Sequence, residues 1–261
     1  METNMNVAII TGASSGIGME FALQMDNYFV TIDEFWLIAR SREHLEEVAK
    51  VLEHKTRVIA MDITDEKKQD ALEDLLIEKN ATVRVLINAA GFGVMGPFSE
   101  QERMTAQEMV RLNCEALTAL THRMIPYMSR NSRIIQMASS AAFLPQPDFA
   151  VYAATKAYVL SFSRALGEEL KEAGIYVTSV CPGPVDTPFF DIAEKTGTTL
   201  SVKKYTMVSP EKVVALALKD SYYKRSMSVC SLPVKYFQCL AKAVPHGLLL
   251  KGMGLLKKKG F

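Results

Sequence analysis

Thr11-Gly12-Ala13-Ser14-Ser15-Gly16-Ile17-Gly18 follows a short apolar run, Val7–Thr11, and opens an amphipathic stretch, Gly16–Met25. A β-branched run that ends in glycine reads as a strand covered on both faces. Glycine lets the turn be tight and lets the backbone approach a diphosphate with no Cβ in the way. A helix that starts at Gly16 presents free N–H groups and the positive end of its dipole, while Ser14 and Ser15 offer hydroxyl donors. Strand-to-helix glycines also serve purely structural ends. The turn therefore points to a nucleotide and names no reaction.

The same alternation continues outward. Phe35–Ala39, Arg57–Met61, Val83–Asn88, Arg133–Ala138 and Tyr176–Cys181 read as further buried strands. Arg42–Glu53, Glu66–Asn80, Gln101–Met128 and Tyr152–Ala173 read as the helices between them. Alternation of this kind predicts βαβ units with right-handed crossovers. The expected fold is α/β: a doubly wound parallel sheet in a three-layer α/β/α sandwich, single domain. No repeat, low-complexity segment or Pro/Gly/Ser-rich linker divides it.

Composition narrows the function. The 261 residues are 49% hydrophobic and 23% charged, enough for a sizeable core. A net charge of +1 argues against a dedicated nucleic-acid binder. That charge is unevenly spread: no acidic residue follows Asp220, and the tail beyond it carries eight Lys and Arg, which leaves −7 for residues 1–220. Cys114, Cys181, Cys230 and Cys239 form no CxxC pair and have no His cluster, so neither a disulfide framework nor a metal site is expected. No signal-peptide pattern precedes Val7, and no apolar run approaches membrane-spanning length. The expected setting is the cytoplasm, with peripheral membrane contact left open by the basic tail.

The TGxxxGxG form of the glycine turn resembles the classical short-chain dehydrogenase/reductase family, and the resemblance extends over roughly residues 6–220. It implies a Rossmann-type sheet, a nicotinamide cofactor, and cofactor contacts from Gly12, Ser14, Ser15, Gly16, Ile17 and Gly18. At the end of the second strand an acidic residue would bond a ribose 2′-hydroxyl and repel a 2′-phosphate; this chain has Arg40 and Ser41, which favour the phosphate. The resemblance thus implies NADP(H) in preference to NAD(H), although the family's other basic determinant, within the glycine loop, is absent. Asp62 and Ile63 match the adenine position. Asn88-Ala89-Ala90-Gly91 is similar to the family's NNAG, with Ala89 in place of the second Asn. Pro182, Gly183, Val185 and Thr187 match the turn that holds the nicotinamide carboxamide and diphosphate.

Tyr152-Ala153-Ala154-Thr155-Lys156 carries the expected chemistry. Positions i and i+4 share a helix face, so phenol and ammonium can share a site. A free tyrosine titrates near ~10. A cation at ~4 Å and an effective dielectric of ~20 contributes about 4 kcal/mol, or about three pKa units before screening, toward the phenolate. Ser139, thirteen positions earlier, matches the family's serine; Asn113 matches an Asn that holds a water linking the lysine to solvent. The resemblance implies that Tyr152 acts as general acid/base, that Lys156 bonds the nicotinamide ribose and tunes it, and that Ser139 holds the substrate oxygen.

The implied activity is interconversion of a ketone and a secondary alcohol. Phe143, Leu144, Pro145, Phe149, Phe189 and Phe190 suggest either an apolar pocket for fatty-acyl or steroid-like substrates, as in a hydroxysteroid dehydrogenase, or ordinary core. Residues 187–206 are the expected lid, closing a catalytic domain of residues 1–233. Residues 234–261 form a basic amphipathic tail suited to cleft cover, a subunit contact or an anionic membrane surface. Pro245, Gly247, Gly252 and Gly254 are expected to break any long helix there. The link Met25–Glu34 reads as a surface elaboration away from the chemistry. A homodimer or homotetramer is expected. A non-catalytic NADPH-binding sensor or membrane-surface scaffold is the competing reading.

Overall fold

A computed structural model describes residues 4–195 and 207–258, without the side chains of 253 and 255–258. Residues 196–206 of the expected lid, and the apolar and basic side chains near the end of the tail, lie outside the described residues. Seven strands, β1 (Met5–Thr11), β2 (Glu34–Ala39), β3 (Thr56–Ala60), β4 (Ala81–Asn88), β5 (Met128–Met137), β6 (Tyr176–Val180) and β7 (Met227–Ser228), form one parallel sheet in the order β3-β2-β1-β4-β5-β6-β7. Chain order reverses between β1 and β4, and ligands of open α/β sheets bind in the crevice at such a point.

Strand alternation sends side chains to both faces, and both are apolar. Ile10, Phe35 and Ile87 meet α1 (Gly16–Tyr28) and α2 (Arg42–Ala49) through Phe21, Met25 and Leu45. Ile9, Trp36 and Leu86 meet α3 (Glu66–Glu78) on the other side through Leu72 and Leu76. The result is the three-layer, Rossmann-type sandwich. The strand β7 escapes a reading of apolar runs because two residues, Met227 and Ser228, make no pattern; it pairs with β6 at Ser179 and Val180.

The stretch expected as one helix, 101–128, holds four helical pieces, with a further 3₁₀ turn just before it. A 3₁₀ turn (Phe98–Glu100) precedes α4 (Arg103–Val110), a π turn (Arg111–Ala116), α5 (Leu117–Met124) and a second 3₁₀ turn (Ile125–Tyr127), after which Met128 already belongs to β5. Pro126 cannot donate to a continuing helix and ends it. The π turn carries one extra residue per turn, a feature found often at functional sites; here it contains Asn113. Downstream lie α6 (Ala150–Glu169), α7 (Phe189–Ala193), α8 (Pro210–Tyr222), α9 (Leu232–Ala243) and α10 (His246–Lys258).

The acidic residues of the 25–34 link are not loose surface. α1 extends through Tyr28, and the Asp26 carboxylate accepts from the N–H groups of Glu53 and His54 and pairs with the His54 ring at 2.7 Å. Asp33 accepts from the Asn6 N–H, and Glu34, 1% exposed, pairs with Arg57 at 3.0 Å. The link ties β2 to its neighbours at the sheet edge remote from the strand C-termini. In the tail, Pro245 separates two helices as expected, but Gly247, Gly252 and Gly254 lie inside α10 rather than breaking it. A helical glycine costs about 1 kcal/mol, which disfavours a helix without forbidding it. The expected boundary after residue 233 cuts through α9. No helix among the described residues is long and apolar enough to cross a membrane.

Candidate active site

The C-terminal ends of β1, β2, β4, β5 and β6 open onto a cleft of about 1290 Å³. The glycine turn lines one part of it. Gly12 has φ +68°, and a Cβ there would sit 2.8 Å from the Ala90 N. At Gly18 a Cβ would sit 2.2 Å from the Gly12 carbonyl oxygen, so the turn closes on itself only as glycine. Gly16, φ +54°, faces the Thr187 side chain. Ser15 caps α1 with extended backbone and no side-chain hydrogen bond, so the helix start faces the cleft without an internal acceptor. That is the arrangement an anion requires. Thr11, absent from the expected site, supports it: its hydroxyl donates to the Ile87 carbonyl and accepts from the Ala89 and Ala90 N–H groups, locking β1 to β4 beneath the turn.

At the end of β2, Arg40 and Ser41 line the cleft, joined by His44, which the sequence reading passed over. The Ser41 hydroxyl is already engaged, accepting from the His44 N–H as the cap of α2. Asp62 and Ile63 line the wall after β3. Burial raises the Asp62 pKa, but hydrogen bonds from the Thr64 N–H and hydroxyl and the nearby Arg40 charge outweigh it and hold the carboxyl below its usual value.

The β4 end divides. Ala89 and Gly91 line the cleft. Asn88 does not: it points to the opposite face, donating to the Thr121 hydroxyl, which also receives the Gln136 amide and donates to the Leu117 carbonyl. Strand periodicity explains this, since residues two apart share a face and Leu86 faces α5. Asn88 thus fixes the strand end rather than lining the site.

The expected catalytic group converges. Ser139 lies two residues beyond the end of β5, its hydroxyl accepting from the Ala141 N–H at 3.1 Å. Tyr152 and Lys156 lie one turn apart on α6, both buried in the cleft wall. The Lys156 ammonium donates to the Met137 carbonyl at 2.7 Å and sits 5.6 Å from the Tyr152 ring centroid. Asn113 is fully buried outside the cleft lining, its amide bonded both ways to the Phe92 backbone and to the Thr155 hydroxyl. Gly91 joins these groups: a Cβ there would meet the Asn113 Oδ1 at 2.8 Å and the Lys156 Nζ at 3.5 Å.

Electrostatics at this centre differ from the expectation. Burial pushes the Tyr152 phenol up to about 12, against the pull of a Ser139 hydrogen bond. Burial pushes Lys156 down to about 8. The expected lowering assumed an ammonium about 4 Å from the phenol and omitted desolvation. In this structure the ammonium is held on the Met137 carbonyl and burial dominates.

Pro182, Gly183, Val185 and Thr187 all line the cleft. Their turn is clamped on two sides: the Ser140 N–H donates to the Pro182 carbonyl, and Val208 exchanges backbone hydrogen bonds with Pro184 and Asp186. Of the six residues weighed for an apolar pocket, Phe149, Phe189 and Phe190 line the cleft, whereas Phe143, Leu144 and Pro145 do not. The tail supplies the other apolar wall. Pro233, Val234 and Phe237 of α9 line the cleft, Val234 abutting Gly183. Phe237 packs on Phe143 with ring centroids 6.4 Å apart.

Residues 6–196 match the family model described as short chain dehydrogenase. An uncharacterized oxidoreductase of Staphylococcus epidermidis is 31% identical over 184 residues, 70% of this chain and 79% of the relative. The very-long-chain 3-oxoacyl-CoA reductase of Rattus norvegicus is 31% identical over 226 residues, 83% of this chain and 70% of that protein. Among solved structures, a short-chain dehydrogenase from Sphingobium yanoikuyae in complex with NADPH superposes with a TM-score of 0.76 at 26% identity, covering 97% of this chain and 95% of that one.

Proposed function

From the premise that this chain belongs to the short-chain dehydrogenase family, and is therefore an oxidoreductase acting on CH–OH groups, we propose that it interconverts a bulky apolar ketone and its secondary alcohol with NADP(H). The observation that carries the proposal is the convergence of Ser139, Tyr152 and Lys156 on the same cleft as the uncapped glycine turn. A nicotinamide cofactor bound there supplies the hydride. The α1 N-terminus and the Gly12–Gly18 turn would hold its diphosphate; Arg40, standing where an acidic residue would repel it, would favour a 2′-phosphate.

The chain's own residues handle the proton. A phenol pushed up to about 12 is protonated at neutral pH, the form that donates to a carbonyl oxygen as the carbon gains hydride. Ser139 steadies that oxygen, and the Lys156 charge stabilises the phenolate left behind. Lys156 is cationic below about 8 and loses its charge as pH rises through that value. The profile of kcat/KM for the cofactor, which reports the cofactor-free enzyme, is therefore expected to fall on its alkaline side near pH 8. A profile flat to pH 10 would remove Lys156 from this role.

The apolar wall favours a bulky substrate. Phe237→Ala is expected to lower kcat/KM for large apolar ketones about five- to tenfold, from roughly 1 kcal/mol of lost burial, and to spare small ketones. Equal effects on both would mean that α9 only braces the fold. Screening fatty-acyl and steroid ketones by cofactor absorbance tests the activity itself. A chain that binds NADPH yet turns over none of them would instead be the non-catalytic sensor.

A further inference from the structure

We propose that Phe149 is a positioning residue for Tyr152: its ring sets the plane of the phenol and keeps water from it. Phe149 is the N-cap of α6, where Ser, Thr, Asp or Asn usually supplies a side-chain acceptor. This helix has a phenylalanine there and no side-chain cap. Broken local rules tend to mark functional positions. A ring contact compensates: three residues on, Tyr152 stacks on Phe149, ring centroids 4.3 Å apart and planes inclined by 21°. A ring stack of this kind orients as well as buries.

Other sides of the phenol ring are covered too, while the residue still lines the cleft. The Gly93 backbone packs directly on both rings, since a Cβ there would fall 2.5 Å from Tyr152 and 3.0 Å from Phe149. Phe189, on α7, covers Tyr152 at 5.4 Å and 51°. Met95, Ala141 and Phe190 belong to the same apolar cluster. Phe149 is the N-cap of the helix that carries Tyr152, so its ring is fixed to the same stretch of backbone as the phenol. Burial of this kind is also the largest influence on the Tyr152 proton.

The inference rests on Tyr152 being the general acid, and the test separates the two. Phe149→Leu keeps apolar bulk and removes the stacked plane; Phe149→Tyr keeps the plane. Phe149→Leu is expected to lower kcat about tenfold with KM for the ketone little changed, and Phe149→Tyr to restore most of it. In the cofactor-free protein, the tyrosinate absorbance assigned by difference against the matching Tyr152→Phe variant is expected to appear about one pH unit lower in Phe149→Leu than in the wild type, toward the ordinary value near ~10. A purely structural Phe149 would lower thermal stability in both variants and move neither readout. Wild-type kcat and titration in Phe149→Leu, or equal losses in Phe149→Leu and Phe149→Tyr, overturn the inference. An active Tyr152→Phe enzyme would instead overturn the proton-donor reading beneath it.

Discussion

Tyr152→Phe is expected to lower kcat by about 10²–10⁴-fold while cofactor affinity stays near that of the wild type. The substitution isolates chemistry from folding. Phenylalanine keeps the ring between Phe149 and Phe189, so the aromatic cluster survives. Ser139 still accepts from the Ala141 N–H, and its half-buried hydroxyl, which loses the phenol as partner, lines the open cleft. Lys156 keeps the Met137 carbonyl. Only the exchangeable proton goes. Single-turnover reduction followed by cofactor absorbance, with binding measured separately by fluorescence, reads the two effects apart. Near-normal turnover would show that the proton reaches the carbonyl oxygen by another route.

That prediction was available from the chain alone, and the reason is physical. The i, i+4 spacing of Tyr152 and Lys156 is local, and a helix converts it into shared position with few alternatives. The glycine turn is local at Gly18, where a Cβ would strike the Gly12 carbonyl six residues earlier. Buried strands are legible because a parallel sheet demands continuous apolar runs, as in Phe35–Ala39. What escaped was set by tertiary contact. The π turn at Asn113 has no apolar signature, and the pairing of β7 depends on β6 being present. Alternation from Leu86 would have sent Asn88 to the α5 face. The His44 imidazole on the cleft wall had a helical signal, three residues past the Ser41 cap, that could have been used. The Tyr152–Lys156 charge balance was misjudged because burial, which decides it, is a property of the whole wall.

Arg40→Asp is expected to weaken NADPH binding about 10²-fold and to leave NADH unchanged or tighter. Arg40 is exposed on the cleft wall, and its described surroundings hold Asp62, whose own hydrogen bonds come from Thr64. A charge-assisted contact to phosphate is worth roughly 1.5–3 kcal/mol, and about 1.4 kcal/mol is tenfold, so loss of the contact alone gives about 10- to 100-fold. The new carboxylate adds repulsion toward a 2′-phosphate and accepts from a ribose 2′-hydroxyl instead. The helix beyond should not suffer, because Ser41 rather than Arg40 caps α2. Titration with 2′,5′-ADP, which carries the 2′-phosphate without the nicotinamide, confines the measurement to this end of the cleft. Arg40→Ala separates the two contributions: it should lose the attraction without gaining the repulsion, and fall between wild type and Arg40→Asp. Equal weakening of NADH and NADPH would mean that Arg40 supports the turn itself, and the cofactor preference would then have no basis at this strand end.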